Sequence, residues 1–263
     1  MTDILLRERH QGILRLTLND PTTRNSLSEA MMASLAIALD EARQDDETRV
    51  IVIAAEGPAF CSGHNLKEIT ARRRDEDHGK AYFAKLMAHC SALMQEIVHH
   101  PRPVIAEVNA PASAAGCQLV ASCDLALASE QARFATPGVN IGLFCSTPMI
   151  ALSRNVSRKH AMEMLLTGEM ISAEEAERIG LVNRVVATQL LRASVDDLAS
   201  RIAGKSKAVT KIGKEAFYRQ IDMPLADAYD YAARVMVENL LMQDAKEGIG
   251  AFVEKRAPDW KDR

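Results

Sequence analysis

Alternation of apolar and polar residues near the start of the chain predicts a β-hairpin. Residues 4–9 and 13–19 alternate on either side of the turn His10-Gln11-Gly12. Ser26 and Glu29 then have the spacing of a helix-capping box, and the apolar residues that follow recur every three or four positions. Those residues are Met31, Leu35, Ala38, Leu39 and Ala42. The pattern predicts a helix that buries one face, followed by a short apolar strand at 50–55 that is buried on both sides.

Apolar strands and amphipathic helices alternate along most of the remaining chain. Further strands are predicted at 104–108, 124–128 and 181–186, and helices at 82–99, 117–122, 149–154, 159–167 and from the capping box at Ser172 to Gly180. Beyond residue 188 only helical patterns remain, at 189–203, 207–220, 224–243 and 245–257. We therefore expect an α/β core over residues 1–188 and a helical C-terminal region over residues 189–263.

Two loops that contain small residues interrupt this pattern at places where ligand sites form. One loop, at 56–67, follows a buried strand directly, and the other, ASAAG at 112–116, lies between a strand and an apolar helix. Small side chains let a ligand approach the backbone, and the first N–H groups of a helix have no partner inside it. The second loop thus predicts a cradle for an oxygen that becomes negatively charged during a reaction. The same small residues would also suit a helix that simply packs closely.

The net charge and the cysteines limit which ligands and which cellular compartment the sequence favours. The net charge is −3, and the basic residues 72–74 are followed at once by the acidic residues 75–77, which argues against a site for nucleic acid or an anionic membrane. The five cysteines have no metal-ligand spacing and indicate reduced thiols in an intracellular protein. No secretory signal, transit peptide or membrane-spanning run is apparent. We expect a cytoplasmic protein without a bound metal.

Five stretches of sequence carry a family resemblance, in the same order and over nearly the whole chain. They are RNSLSEAM at 24–31, FCSGHNLKE at 60–68, PVIAEVNAPASAAGCQLVASCDLALASEQARF at 103–134, MLLTGEMISAEEAERIGLVNRVV at 164–186 and AFVEKRAPDW at 251–260. In these motifs the chain resembles the enoyl-CoA hydratase/isomerase (crotonase) superfamily. The resemblance implies a crotonase (ClpP-like) fold, a spiral of ββα units closed by the helical C-terminal region. It also implies an acyl-CoA ligand, no cofactor, and a homotrimer or dimer of trimers in which the C-terminal region joins the subunits and forms part of the CoA pocket.

By the same resemblance, the backbone N–H groups of His64 and Ala115 hold the thioester oxygen. Both donors lie in the two loops already singled out. Contacts with the acyl-CoA are expected from Arg24, Ser26, Ser62, His64, Asn65, Leu66, Lys67, Ala112, Ala115, Gly116, Phe252 and Lys255. Phe252 and Lys255 would reach the ligand across a subunit boundary, whereas Lys67 could equally be an ordinary surface lysine.

Two positions depart from the pattern of the family's hydratases, which use two glutamates to activate water and to deliver a proton. This chain has Gln118 at the first position and Gly138 at the second. A neutral amide cannot take a proton from water, and glycine has no side chain. We therefore expect isomerisation, decarboxylation or thioester hydrolysis rather than ordinary hydration. A catalytically silent acyl-CoA-binding oligomer is the alternative, and a residual hydratase in which Gln118 orients water is the third possibility.

Four side chains could supply the missing proton chemistry or belong to the structure alone. His64 could donate a proton or bind a carboxylate through its ring, or contribute only its backbone N–H. Cys145 could be a nucleophile, but no base at a known spacing supports it, and a buried structural thiol is favoured. Asp124 is interpreted as a structural carboxylate. Glu107 either acts near the cradle or faces outward.

Overall fold

A six-stranded sheet forms the centre of the molecule in the computed structural model, which describes residues 3–263. Its strands, in spatial order, are β1 (Leu5–His10), β2 (Ile13–Leu18), β3 (Val50–Ala55), β4 (Val104–Val108), β6 (Leu125–Ser129) and β9 (Arg184–Val186). β1 and β2 are the predicted antiparallel hairpin, and all other neighbours pair in parallel. A second sheet joins β5 (Ala112–Ser113), β7 (Arg133–Ala135) and β8 (Ile171–Ser172). Residues 1 and 2, with which the predicted core begins, lie outside the described residues.

The helices confirm the predicted change from a mixed to a wholly helical chain. Before residue 188 the structure has α1 (Glu29–Gln44), α2 (Leu66–Arg72), α3 (Lys80–His99), α4 (Ala115–Ser122), α5 (Pro148–Asn155), α6 (Arg158–Thr167) and α7 (Ala173–Arg178). After it come α8 (Leu191–Ala203), α9 (Lys207–Gln220), α10 (Leu225–Leu241) and α11 (Gln243–Glu254). Short helical turns fill part of the long irregular passage at 133–148, where Pro137–Ile141 is a 3₁₀-helix.

The sheet is covered on both faces, which explains why its parallel strands are almost continuously apolar. The larger core lies against α1, α3 and α4 and includes all five residues predicted for the buried face of α1. On the other face, Leu191, Val195 and Ala199 of α8 pack against strand residues such as Val52 and Ile105. The division of the chain at residue 188 stays a prediction. α8 follows that residue in the chain but packs against the sheet of the core.

The predicted cap of the first helix is wrong. Ser28, not Ser26, is the N-cap of α1, and its hydroxyl accepts a hydrogen bond from the Met31 N–H at 3.2 Å. The intervening Leu27 pairs with His64, and its N–H donates to the carbonyl of Gly63 at 2.8 Å. This pairing with a distant loop keeps Leu27 extended, so the helix begins only after it.

The C-terminal helices leave a large apolar surface uncovered in a single chain. α9 and α10 contain no buried residue, and eleven large apolar side chains of α9 to α11 and the adjoining turn are exposed. They are Phe217, Ile221, Leu225, Tyr229, Met236, Val237, Leu240, Leu241, Ile249, Phe252 and Val253. Exposed apolar surface of this extent is typical of contact with another protein surface. Within residues 3–263, no helix combines the length and the hydropathy that a membrane crossing requires.

Candidate active site

The loop at 60–64 and the start of α4 are in direct backbone contact. The Phe60 N–H donates to the Pro111 carbonyl at 3.0 Å, and the Ser113 N–H donates to the Cys61 carbonyl at 2.9 Å. A β-carbon placed on Gly116 would lie 2.1 Å from the Cys61 carbonyl oxygen, so a side chain has no room there. Glycine at 116 therefore sets the distance between α4 and the loop.

The two predicted donor N–H groups belong to this contact. A β-carbon placed on Gly63 would lie 3.2 Å from the nitrogen of Ala115, so the Gly63–His64 peptide lies against the start of α4. Ala114, at φ 51° and ψ −118°, turns the chain from β5 into that helix. This conformation costs a non-glycine residue on the order of 1–3 kcal/mol. Among the described residues, neither the His64 nor the Ala115 N–H donates a hydrogen bond within the fold. Two neighbouring donors are thus available to a ligand.

The His64 ring contacts the protein through one ring nitrogen, and its other ring nitrogen is buried. Its Nδ1 lies 3.3 Å from the Leu27 carbonyl, to which it can only donate, and its Nε2 is buried without a hydrogen-bond partner in the described structure. Burial lowers the pKa of the imidazole below its usual value, so the ring is neutral near pH 7. Proton transfer by this side chain stays a hypothesis, and no contact in the structure supports it.

The residues expected to bind CoA surround the two donor loops on one side. The Ser62 N–H donates to the Arg24 carbonyl at 3.1 Å, and the Ser62 hydroxyl donates to the Thr23 carbonyl at 3.1 Å. The Arg24 side chain is exposed, and Ser26 is buried with no hydrogen-bond partner for its hydroxyl in the described residues. Ala112 is buried beneath the loop, where it pairs with Cys61.

Asn65 begins the helix that follows the first donor loop. Its side chain accepts from the Lys67 N–H at 3.0 Å and caps α2. Leu66 and Lys67 are exposed and line a shallow depression of about 430 Å³ that extends along the helix to Arg74. The first loop and α2 therefore form a continuous surface beside the donors.

Asn25 has a positioning role that the sequence analysis did not assign. It is fully buried, and its amide donates to the carbonyls of Glu56 and Ala59 at 2.7 and 2.8 Å. Its oxygen accepts from the Asp20 N–H at 2.7 Å, and its φ is 53°. Asparagine tolerates this left-handed conformation better than most residues. In the sequence, the signal for this role is the position of Asn25 just after the turn Asp20-Pro21.

The two positions of the missing glutamates differ in their surroundings. Gln118 is 5% exposed, its Oε1 lies 4.0 Å from the Cys90 sulfur, and it lines a cavity of about 740 Å³. At Gly138, a β-carbon would lie 2.8 Å from the Leu143 carbonyl oxygen and 2.9 Å from the Cys145 sulfur. The second position is thus filled by the neighbouring loop rather than left empty. Burial raises the pKa of the Cys145 thiol, which favours the structural interpretation of that residue.

Both other carboxylates considered as substitutes are engaged in buried ion pairs. Glu107 and Arg15 form one on the sheet, and Arg15 also contacts Asp196 of α8 at 2.6 Å, so Glu107 faces α8. Asp124 accepts from Lys214 at 2.7 Å and from the Val104 N–H at 2.7 Å. Removing one partner of such a pair would leave a buried charge, so both carboxylates have a clear structural role.

The structure of a single chain does not bring Phe252 and Lys255 into the candidate site. Phe252 is 85% exposed, and Lys255 lies just after the end of α11. α11 packs chiefly against α10. Any contact of these two residues with CoA therefore stays a prediction. Within residues 3–263, no group of three or more His, Cys, Asp or Glu side chains is arranged to hold a metal ion.

Comparison with known proteins establishes the family. A sequence model of the enoyl-CoA hydratase/isomerase family matches residues 8–263. The chain belongs to this family. The crotonase fold is also confirmed, because a solved enoyl-CoA hydratase structure from Mycobacterium smegmatis superposes with a TM-score of 0.93 at 49% identity, covering 98% of this chain and 99% of that one.

Within the family, the chain is similar to one branch in particular. The mitochondrial enoyl-CoA hydratase domain-containing protein 3 of Xenopus laevis is 49% identical over 259 residues, 98% of this chain and 86% of the relative. The crystal structure of the human protein of that name has a TM-score of 0.94 at 47% identity, covering 98% of this chain and all of that one. The names of these vertebrate relatives include a mitochondrial location, so they give the cytoplasmic expectation no support.

Gly63→Ala should separate the two donor loops, whereas Gly142→Ala should not. Both glycines have positive φ, +86° and +77°, so both substitutions strain the backbone similarly. Only at Gly63 does the added methyl meet other atoms, at 3.0 Å from the Ser113 carbonyl oxygen, because the Gly142 position is open. We expect Gly63→Ala to weaken acyl-CoA binding, measured by calorimetry, at least tenfold relative to Gly142→Ala. Equal affinities in the two variants would contradict this arrangement of donors.

Proposed function

We propose that this protein binds an acyl-CoA thioester and stabilises an enolate formed from it, without ordinary hydratase activity. The backbone N–H groups of His64 and Ala115 would hold the thioester oxygen, on which the enolate charge resides. The observation that carries the proposal is the pairing of these two free donors across the contact between the first loop and α4.

The residues around the donors favour reactions other than the addition of water. Gln118 cannot act as a base, and the loop that carries Cys145 occupies the place where a side chain at Gly138 would begin. Isomerisation and decarboxylation, which pass through an enolate, remain. Thioester hydrolysis also remains, and in that reaction the same donors would hold the oxyanion of the tetrahedral intermediate. Of these, decarboxylation makes the least demand on the site, because cleavage of the carbon–carbon bond to the carboxylate forms the enolate without a base, and the enolate would then take a proton from water.

Two alternatives fit parts of the same evidence. The absence of both glutamates also suits a catalytically silent acyl-CoA-binding oligomer with a regulatory role. A residual hydratase, in which Gln118 orients a water molecule, is favoured only by the position of that amide in the first turn of α4.

The CoA moiety would lie along the surface formed by the first donor loop and α2. Arg24 and Lys67 are exposed there, and neither forms an ion pair within the described residues, so both are free to meet phosphate groups. Ser62, Asn65 and Leu66 would line the same surface, whereas the expected contact of the buried Ser26 with the ligand stays a prediction. Phe252 and Lys255 would approach from another subunit of a homotrimer or a dimer of trimers.

A panel of thioesters tests the proposed activity. The pure protein would be incubated with crotonyl-CoA, a 3-enoyl-CoA and a malonyl-type CoA, with products followed by mass spectrometry and binding followed by calorimetry. We expect turnover of the 3-enoyl or the malonyl-type thioester that exceeds hydration of crotonyl-CoA. Tight binding with no turnover of any member would support the silent oligomer instead, and no binding at all would overturn the proposal.

Gln118→Glu should not create an efficient hydratase. The new carboxylate would lie in a buried position, and the second acid/base group would still be absent at Gly138. We expect hydration of crotonyl-CoA, followed by the loss of its ultraviolet absorbance, to stay within about tenfold of the wild-type rate. General acid–base catalysis is typically worth ~10²–10⁴-fold, so a rise of that size would establish the residual-hydratase alternative. Gln44→Glu, at an exposed amide in the last turn of α1 and outside the cavity that Gln118 lines, is the matched control.

If the C-terminal helices join the subunits of a trimer or a dimer of trimers, the protein should have a defined mass in solution. Sedimentation should give three or six times the chain mass of 28.8 kDa. Leu241, at the end of α10, is 83% exposed in the single chain, so Leu241→Glu should place a charge in the interface and lower the assembled fraction. Ile37→Glu, on α1 at 53% exposure, should leave the mass unchanged. A monomeric wild-type protein would refute this part of the proposal.

A further inference from the structure

Glu68, in the first turn of α2, forms two hydrogen bonds that have no part in the function proposed above. Its Oε1 accepts from the side-chain amide of Asn65 at 3.3 Å, and its Oε2 accepts from the backbone N–H of Glu29 at 3.2 Å. Asn65 directly follows His64 in the chain, and Glu29 is the first residue of α1. Glu68 therefore connects the end of the first donor loop with a helix that begins 39 residues earlier.

These bonds differ from those of an ordinary helix-capping box. The N-cap residue Asn65 and Glu68 have the spacing of that motif, in which the glutamate accepts from the backbone N–H of the N-cap residue. Here one oxygen of Glu68 accepts from the side chain of Asn65 instead. The other oxygen takes an N–H at the start of α1, where a helix has no acceptor of its own for it. The carboxylate thus joins two helices.

The orientation of the proposed donor at His64 depends on the same part of the molecule. The Gly63 carbonyl accepts from the Leu27 N–H at 2.8 Å, and this carbonyl belongs to the same peptide group as the His64 N–H. A trans peptide group is planar, with its C=O and N–H on opposite sides. The bond to Leu27 therefore directs the His64 N–H away from the segment that precedes α1, and among the described residues it meets no acceptor there.

The chain around His64 is thus attached to the start of α1 on both sides. On one side the attachment is the bond between Gly63 and Leu27, and on the other it is the bond between Asn65 and Glu68. Donors that stabilise charge are effective when they are held in place before the ligand arrives, because no ordering is then needed on binding. The second attachment depends on a single side chain.

The loss of Glu68 should leave the surrounding structure in place. The bond from Leu27 remains, and α2 is also held to α3 by Arg72, whose guanidinium lies over the Tyr82 ring at 5.1 Å from its centroid. The shallow depression along α2 is lined by other residues of that helix, such as Lys67. The surface proposed for CoA is therefore independent of this carboxylate.

We propose that Glu68 is a positioning residue, whose carboxylate holds Asn65 against α1 and so fixes the His64 N–H in the orientation that binds the thioester oxygen. Glu68 itself does not touch the ligand. This inference rests on the proposed function, because it concerns how one of the two proposed donors is held.

Calorimetry with two ligands separates the donors from the rest of the site. Butyryl-CoA has a thioester carbonyl, whereas its thioether, S-butyl-CoA, has the same CoA group and the same chain length without the carbonyl oxygen. Hydrogen bonds to that oxygen should make the wild-type protein bind butyryl-CoA about tenfold more tightly than the thioether. We expect Glu68→Ala to lower this preference to about threefold or less by weakening the binding of butyryl-CoA, and to leave the affinity for S-butyl-CoA unchanged.

The infrared band of the bound carbonyl gives a second readout that does not depend on affinity. Hydrogen bonds from both donors polarise the C=O bond and move its stretching band to lower frequency. With an isotope-labelled carbonyl in butyryl-CoA and the protein saturated with ligand, we expect a smaller shift in Glu68→Ala than in the wild type. A residue that only stabilises the fold would not change this frequency.

Two further variants complete the experiment. Glu68→Gln has nearly the same size but one acceptor oxygen in place of two, so it should keep more of the thioester preference than Glu68→Ala. Glu47→Ala removes an exposed carboxylate from the segment between α1 and β3 and is the matched control. It should match the wild type in both measurements. Retained binding of S-butyl-CoA shows that each variant is folded.

Three outcomes would overturn the inference. If the wild type prefers butyryl-CoA and Glu68→Ala keeps the same preference and the same carbonyl frequency, the inference fails and the proposed function stands. If Glu68→Ala weakens both ligands equally, Glu68 supports the CoA surface or the fold in general, and the inference again fails alone. If the wild type itself does not distinguish the thioester from the thioether, the donors do not hold the oxygen, and the proposed function fails as well.

Discussion

The backbone of α4 can approach the loop at 60–64 only because residue 116 has no side chain. A methyl group there would overlap the carbonyl of Cys61, and interiors packed at protein density have little room to adjust. The short strand β5, the strained turn at Ala114 and the position of the Ala115 N–H all follow from that approach. Backbone strain of this kind persists where the surrounding contacts over-determine it, and it is often found at functional sites.

In the candidate site, backbone N–H groups would stabilise charge and side chains would transfer protons. Single substitutions affect these two functions to different degrees. Donors made by N–H groups depend on the fold and are insensitive to most single substitutions. Proton transfer depends on individual side chains, which one substitution can remove. With Gln118 and Gly138 at the two glutamate positions, the proposed site would have the first part without the usual form of the second. A shared fold therefore says more about which charge is stabilised than about which reaction follows.

Sequence periodicity was sufficient wherever structure follows from neighbouring residues. The hairpin, the buried face of α1 and the four C-terminal helices were predicted because each depends on local alternation or helical spacing. The misplaced cap arose where distant segments meet, because the pairing of Leu27 with His64 moved the start of α1. The packing of α8 against the sheet also depends on distant contacts, and the division of the chain at residue 188 stays a prediction. The buried bonds of Asn25 likewise join segments more than thirty residues apart.

The loop that fills the space next to Gly138 also limits which substitutions this chain can accept. Restoring a carboxylate at that position requires the loop around Cys145 to move in the same event, because a side chain added first would meet the carbonyl of Leu143. The intermediate with a new side chain and the old loop would be less stable than either end point, and selection removes variants that fall below the threshold for folding. Gly138 is thus hard to replace unless the neighbouring loop changes as well. Hydratase chemistry at this position would therefore need two coordinated changes, whereas another reaction at the proposed donors would not.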